Sequence, residues 1–373
     1  MGNLDSKDGF NSGQREKPLT YYILMLTWRC SAACPHCCWG SHPKREGLMT
    51  AEDALPYLEQ AHALPVRAKT INFTGGEVGL YFDHLVDILE QAASRNLCGP
   101  YRVETNGFYC TSMDGALDKF RTLKRLNVRG LDLTQDPYHL PFVPFECMTI
   151  ALEAAREVFG AEEVNHYGRY DELRAYYQEH GTLDGCPAAD TQEHAMTRGA
   201  LYVSRAARCI APLRAETAVE DLPWSCHNLK AGWTLDPRLT NQISILPEGV
   251  VTPGACTGLV IGDARREPVE HILSRPVAEQ HPLIRTLIEK GPRGLIPEFL
   301  EAGGRLREKY ASVCHLCWEM RIHLKDKYPE VLIPAHLYDD DPQRVEKGKQ
   351  LVGWGDRAQT AEAACNRPGA ENQ

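Results

Sequence analysis

The sequence of 373 residues predicts an α/β fold, a partial (β/α)6 barrel with a small C-terminal extension built from a hairpin and a helix. Over the first 160 residues, short apolar segments alternate with amphipathic segments of helix length, a pattern typical of parallel strands joined by right-handed crossovers. Beyond about Trp224 the pattern changes to that of a hairpin. A closed barrel would need eight units and only five or six can be counted, so the barrel is expected to be partial.

Four strand–helix units can be placed in order along the first part of the chain. Their strands are Tyr21–Trp28, Lys69–Thr74, Tyr101–Thr105 and Gly130–Thr134. The first helix begins with a capping box of Thr50 and Asp53, and later helices are expected over 81–95, 113–126 and 148–159. Residues 160–200 are polar and weakly periodic, as in an insertion, and Leu201–Arg205 is a candidate for a later strand.

The extension begins with a hairpin of Gln242–Leu246 and Val250–Thr252, joined by a turn at Pro247–Gly249. Helical segments are expected over 269–273 and 300–310. The predicted organisation is a flexible N-terminus over 1–19, the barrel over 20–215, the extension over 216–338 and a flexible tail over 339–373.

Composition excludes several classes of protein. The chain has 41 Lys and Arg against 50 Asp and Glu, a formal net charge of -9, which argues against binding to a nucleic-acid backbone. The longest apolar run, near Tyr21, is too short to span a membrane, and the first twenty residues lack the apolar core of a secretory signal. A cytoplasmic protein is expected.

The unusual feature is a count of 14 Cys. A disulfide framework is typical of small secreted domains, whereas in a reducing cytosol clustered cysteines more often bind metal or act in redox chemistry.

Three cysteines form a C-x3-C-x2-C array directly after the first strand, at Cys30, Cys34 and Cys37. Thiolates are the preferred ligands of iron–sulfur clusters. Three ligands for four irons leave one iron open, which is a catalytic arrangement. Alternatives are that Cys38 supplies a fourth ligand, or that the array is a structural zinc knuckle.

This array, with His36 before the third Cys, resembles the motif of the radical S-adenosylmethionine superfamily. The second strand ends in Thr74-Gly75-Gly76-Glu77, similar to the superfamily's glycine-glycine-glutamate segment. The resemblance covers at least residues 20–160. It implies a 4Fe–4S cluster on the three cysteines whose open iron chelates S-adenosylmethionine, and reductive cleavage to a 5'-deoxyadenosyl radical that abstracts hydrogen from a substrate.

The resemblance also implies residues that contact S-adenosylmethionine. Gly75 and Gly76 would allow close backbone approach to the methionine ammonium, with Glu77 at the same polar end. Further contacts to the cofactor are expected from the end of the third strand, at Glu104, Thr105 and Asn106. Thr134, Asp136 and His139 follow the fourth strand and could face cofactor or substrate, and Arg205 could pair with the cofactor carboxylate. Turn capping is the alternative role for the strand-end residues, and Arg208 or Arg214 could replace Arg205 as the partner of the cofactor carboxylate.

A second set of cysteines, Cys226, Cys256, Cys314 and Cys317, lies beyond the barrel. The hairpin that runs into Cys256 and the later C-x2-C pair resemble the twitch or SPASM extension of radical enzymes, which holds an auxiliary 4Fe–4S cluster. The shorter twitch form fits better. Cys209 and Cys186 compete with Cys226 as the fourth ligand, and a zinc ribbon is the alternative.

The sequence thus predicts a radical S-adenosylmethionine oxidoreductase that acts on a small polar metabolite, such as a sugar or a natural-product intermediate, by oxidation, epimerisation or decarboxylation. A reducing partner such as flavodoxin or ferredoxin is expected, and neither nucleic acid nor membrane. The alternatives are modification of a ribosomally made peptide and a non-catalytic iron–sulfur or zinc protein.

Overall fold

A computed structural model describes residues 19–197, 200–225, 235–254 and 256–352. Their main sheet has eight strands in the order β5-β4-β3-β2-β1-β7-β8-β9. The strands are β1 (Tyr21–Met25), β2 (Thr70–Thr74), β3 (Tyr101–Thr105), β4 (Val128–Gln135), β5 (Val164–Gly168), β6 (Thr217–Ala218), β7 (Gln242–Ile245), β8 (Val250–Pro253), β9 (Gly262–Asp263) and β10 (Lys309–Tyr310). Strands β6 and β10 form a separate antiparallel pair.

Twelve α-helices lie in the described ranges. They are α1 (Ala51–Ala63), α2 (Phe82–Ser94), α3 (Met113–Arg125), α4 (Phe145–Phe159), α5 (Tyr170–His180), α6 (Thr191–Thr197), α7 (Ser204–Cys209), α8 (Val269–Ser274), α9 (Pro282–Lys290), α10 (Ile296–Glu301), α11 (Val313–Leu324) and α12 (Pro342–Leu351). None of them is long and apolar enough to cross a membrane.

Strands β1 to β5 are parallel neighbours, so their carboxyl ends meet at one edge of the sheet. The capping box at Thr50 is present at the start of α1, as predicted. The apolar face of that helix, including Leu55 and Leu58, is buried in the main core together with Leu24 of β1 and Phe73 of β2. The core therefore lies on the helix-covered side of the sheet.

The main sheet is open, because its outer members β5 and β9 are not paired with each other. This agrees with the predicted partial barrel. The hairpin β7–β8 joins the sheet through β1, with which β7 pairs in parallel from Tyr21↔Gln242 onward. The sheet thus runs across the boundary that was expected at residue 215.

Several elements differ from the sequence-based expectation. The candidate strand at Leu201–Arg205 is wrong, because a helix, α7, begins at Ser204. The fifth strand is β5, in a region expected to be irregular. The segment expected as a flexible tail contains α12. The helix expected over 300–310 is replaced by α10 and β10.

Candidate functional site

The cysteine loop that follows β1 is joined to the segment that follows β2. The amide of Gly76 donates to the Thr27 carbonyl at 2.6 Å, and the amide of Glu77 donates to the Arg29 carbonyl at 2.8 Å. A Cβ atom on Gly76 would lie 2.1 Å from the Arg29 carbonyl oxygen, and one on Gly75 would lie 2.7 Å from that of Thr27. Glycine is therefore required at this place by backbone contact between the two loops. Contact of these glycines with a methionine ammonium stays a prediction.

Three free thiols are brought together by this loop. Cys30 and Cys34 are buried and Cys37 is half-buried. Burial raises the pKa of Cys30, and the neighbouring Glu77 and Cys34 add to the rise. Burial likewise raises the pKa of Cys34. Three unpaired thiols with mutual electrostatic contact fit the ligand set of a cluster, whose binding would release their protons.

Cys38 is placed differently from the other cysteines of the loop. It packs against the main core, whereas Cys30 and Cys34 belong to a separate buried cluster that also contains Tyr138 and Ile210. This placement favours Cys38 as a packing thiol.

Residues that follow β4 meet the cysteine loop through His36. The His36 Nε2 lies 3.5 Å from Asp136 Oδ2, and the His139 Nδ1 lies 3.0 Å from Asp136 Oδ1. The His36 ring also stacks on Tyr138, with centroids 4.6 Å apart. Burial lowers the pKa of His36 to about 4. Burial also acts to lower the pKa of His139. Asp136 and the Cys34 sulfur outweigh burial and raise the pKa of this imidazole well above its usual value.

Two of the predicted strand-end residues, Thr105 and Asn106, are hydrogen-bonded to Glu77, which is 1% exposed. Its carboxylate accepts from the Thr105 hydroxyl at 2.6 Å, the Asn106 amide at 2.7 Å and the Gly79 amide at 2.8 Å. The Asn106 side-chain amide donates to Ser31 of the cysteine loop at 3.0 Å. Burial raises the pKa of Glu77, and the three donors oppose the rise. Glu77 thus ties β2, β3 and the cysteine loop together.

Arg205, predicted as a partner for the cofactor carboxylate, instead holds the cysteine loop. Its side chain is 0% exposed, and its guanidinium donates to the carbonyls of Cys34 at 3.0 Å, Ser41 at 3.1 Å and Gly40 at 3.0 Å. Its Nε donates to Asp340 Oδ2 at 3.0 Å. Asp340, which precedes α12, was not identified from the sequence, because it lies 135 positions from Arg205 and has no motif around it.

The alternate positions of β2 to β5 carry polar side chains on the face of the sheet opposite to the core. Thr74 donates to Glu104 at 3.0 Å, Arg102 pairs with Asp132 at 2.9 Å, and Asn165 donates to Asp132 at 2.7 Å. Burial and the neighbouring Asp132 raise the pKa of Glu104 to about 7. This polar face leads to the strand ends where the cysteine loop lies, and we call it the inner face.

A second group of thiols lies in the extension. Helix α11 carries Cys314 and Cys317 three positions apart, which places them on one face of the helix. Burial raises the pKa of Cys314, and Cys317 and Cys256, which follows β8, add to the rise. Burial likewise raises the pKa of Cys317, and Cys256 adds to it. Cys226 lies outside the described residues. Its competitor Cys209 is buried instead in the same cluster as Cys30 and Cys34.

Comparisons with known proteins give partial matches. No family model matches the chain. It is 32% identical to the putative peptide biosynthesis protein YydG of Bacillus subtilis (strain 168) over 141 residues, which is 36% of this chain and 41% of that protein. It is 35% identical to a GTP 3',8-cyclase of Synechococcus sp. (strain CC9902) over 124 residues, 33% of this chain and 32% of that protein. The chain thus matches less than half the length of either relative.

Two solved structures show similarity to the described fold. One is BtrN in complex with AdoMet and 2-DOIA, with 17% identity, a TM-score of 0.43 and coverage of 74% of this chain and 90% of that chain. The other is anSMEcpe with bound AdoMet and Cp18Cys peptide, with 13% identity, a TM-score of 0.37 and coverage of 93% and 100%.

The cysteine array after β1 and the glycine-glycine-glutamate segment after β2 meet at the strand ends of an open parallel sheet, as the sequence predicted. This placement agrees with the resemblance to the radical S-adenosylmethionine superfamily that the two motifs carry.

Proposed function

We propose that the protein is a radical S-adenosylmethionine enzyme whose 4Fe–4S cluster is held by Cys30, Cys34 and Cys37. The observation that carries this proposal is the group of three free thiols at the carboxyl edge of the parallel sheet, where ligands bind in such folds. When bound, the cluster and S-adenosylmethionine supply a 5'-deoxyadenosyl radical that abstracts a hydrogen atom from the substrate.

The surrounding residues position the three thiols and limit the access of water. Arg205 holds the carbonyls on both sides of Cys37, and Glu77 fixes the ends of two strands against the loop. His139, held by Asp136, faces the Cys34 sulfur. These contacts stabilise the loop before any ligand arrives, which is the preorganisation that a reactive centre needs.

The inner face supports a small polar metabolite as the substrate. Glu104, Asp132 and Arg102 line it with groups that can accept or donate hydrogen bonds, and such groups are suited to hydroxyl and amino substituents. We propose that hydrogen abstraction leads to a net oxidation, epimerisation or decarboxylation of the substrate. A soluble reductant such as flavodoxin or ferredoxin would deliver the electron, and the enzyme would act in the cytoplasm.

The second group of thiols supports an auxiliary 4Fe–4S cluster of the twitch type, with Cys256, Cys314 and Cys317 as ligands and Cys226 as the proposed fourth. Three free thiols that interact electrostatically, two of them on one helical turn, fit such a cluster. They fit zinc as well, so metal analysis of the anaerobically purified protein must distinguish the two.

A second candidate function is modification of a ribosomally made peptide. The 32% identity to a putative peptide biosynthesis protein over 141 residues favours it. Incubation with deuterated small metabolites and deuterated peptides would separate the two, because the true substrate transfers its label to 5'-deoxyadenosine. Label from a peptide alone would overturn the metabolite proposal.

The main proposal is tested by anaerobic reconstitution with iron and sulfide, followed by dithionite and S-adenosylmethionine. The wild type and Cys98→Ala, which changes an exposed cysteine, should release 5'-deoxyadenosine. Cys30→Ala, Cys34→Ala and Cys37→Ala should release none. A wild type that binds iron but releases no 5'-deoxyadenosine would instead be a non-catalytic iron–sulfur protein, and a protein that retains only zinc would be a zinc protein.

A further inference from the structure

The second group of thiols has a buried cation beside it. Arg321 lies on α11, four positions after Cys317 and seven after Cys314, so the three side chains share one face of the helix. Only 1% of Arg321 is exposed. A guanidinium cannot lose its charge in a protein, so a full positive charge lies beside the thiols.

Two aromatic rings pack against this guanidinium. Its centre lies 4.9 Å from the ring of Trp318 and 6.0 Å from that of Tyr338, and these two rings stack on each other at 4.8 Å. Nη1 donates to the Thr257 carbonyl at 3.0 Å and lies 4.0 Å from Cys256 Sγ. Nε is buried and has no hydrogen-bond partner among the described residues.

Within the part of the chain that the structure describes, no carboxylate forms an ion pair with Arg321. Burial lowers the pKa of Arg321, whereas Tyr338 and the three thiols raise it. A buried ion without a partner of opposite charge is strongly unfavourable. The sulfurs of the second group lie beside it, with Cys256 Sγ 4.0 Å from Nη1, and as metal-bound thiolates they would supply the missing negative charge.

We propose that Arg321 is the fixed counter-cation of a net-anionic metal–thiolate centre at Cys256, Cys314 and Cys317. This inference rests on the proposed second centre. Three or four thiolates around zinc or around a 4Fe–4S core leave a net negative charge, which the guanidinium balances in a site that excludes water. If the centre is a cluster, the cation also favours its reduced form, which has one more negative charge, and so raises the reduction potential.

The test uses the full chain with Cys30, Cys34 and Cys37 changed to Ala, so that only the second centre can bind metal. Iron, zinc and sulfide are then measured for Arg321→Met, Arg321→Lys and the control Arg266→Met, whose side chain is 84% exposed. We expect Arg321→Met to lose most of its metal, Arg321→Lys to keep part and Arg266→Met to keep all. Any cluster left in Arg321→Met should have a more negative midpoint potential than in the control. Equal metal content and equal potential in all variants would overturn the proposal.

Two further measurements separate a role in metal binding from a role in folding. In metal-free protein, Arg321→Met should be at least as resistant to urea as the control, because it removes an unpaired buried charge. Lower stability of this variant would show that Arg321 supports the fold itself, and would overturn the proposal. If the background protein binds no metal and Cys314→Ser changes nothing, the second centre itself is wrong, which is a different failure.

Discussion

The two cysteine groups each contain a buried arginine, and the two arginines are compensated in different ways. Arg205 at the first group pairs with the Asp340 carboxylate and donates to three backbone carbonyls. Arg321 at the second group faces aromatic rings and sulfur, with one backbone carbonyl as its acceptor. The first arginine is therefore satisfied by the fold alone, whereas we propose that the second is balanced by the negative charge of a bound centre.

The two groups also differ in how the thiols are presented. The first three lie on a loop, which depends on contacts with neighbouring strand ends for its shape. Two of the second set lie on a capped helix, which depends on local hydrogen bonds. We expect long-range contacts to control the first group and local ones to control the second.

The largest expected effect is from Asp340→Asn, which leaves Arg205 buried without a carboxylate. Breaking a buried ion pair from one side costs about 3–5 kcal/mol of unfolding free energy. Urea unfolding of the metal-free protein measures it, with Asp339→Asn as the exposed control. A loss of unfolding free energy below about 1 kcal/mol would mean that Arg205, like Arg321, can stay buried without a carboxylate partner.

A carboxyl group near the first centre should make stability depend on pH. The pKa of Glu104 rises from 4.5 to about 7 in the folded protein, so the folded state binds the proton more tightly than the unfolded state does. Its contribution is fully present below the unfolded pKa and is lost as pH rises through about 7. Relative to Glu104→Gln, the wild type should lose roughly 3 kcal/mol of unfolding free energy as the pH rises from 4.5 to about 7. If the unfolding free energies of the wild type and Glu104→Gln change in parallel with pH, the expected role of Glu104 is contradicted.

Gly76→Ala should disturb the first group and leave the second intact. The new Cβ would lie 2.1 Å from the Arg29 carbonyl oxygen, so the cysteine loop must move. Overpacking of this kind costs about 1–3 kcal/mol. Iron analysis should show loss of the first cluster alone. The control is Gly115→Ala within helix α3, where the nearest atom, the Ser112 Oγ, would lie at 3.0 Å.

The smallest expected effect concerns the N-cap of the helix that carries the second group. The Ser312 side chain accepts from the His315 amide at 3.3 Å. Ser312→Ala should cost about 1 kcal/mol and weaken metal binding at the second group. Ser112→Ala removes the equivalent cap of α3 and should cost a similar amount without changing metal affinity. Equal metal affinity in the two variants would show that the helix end does not control the second centre.

Sequence patterns predicted the first four strands and their helices because each has an apolar run, alternating apolar positions or an apolar helix face. The fifth strand escaped notice because only its first residue, Val164, is buried, as suits a strand at the edge of a sheet. The apolar segment at Leu201–Arg205 suggested a strand, but Arg205 is drawn into the protein by Asp340 and the loop carbonyls, and the chain forms α7 there. Such long-range contacts leave no periodic signal.

The sequence by itself determined the two groups of cysteines and predicted the open sheet, because ligand spacing and strand–helix alternation are local properties of the chain. The tertiary structure alone decided which charges lie beside those cysteines. Asp340 reaches Arg205 across 135 positions, and Arg321 meets Cys256 across 65. Burial determines how strongly such charges act, and burial is a property of the folded chain as a whole.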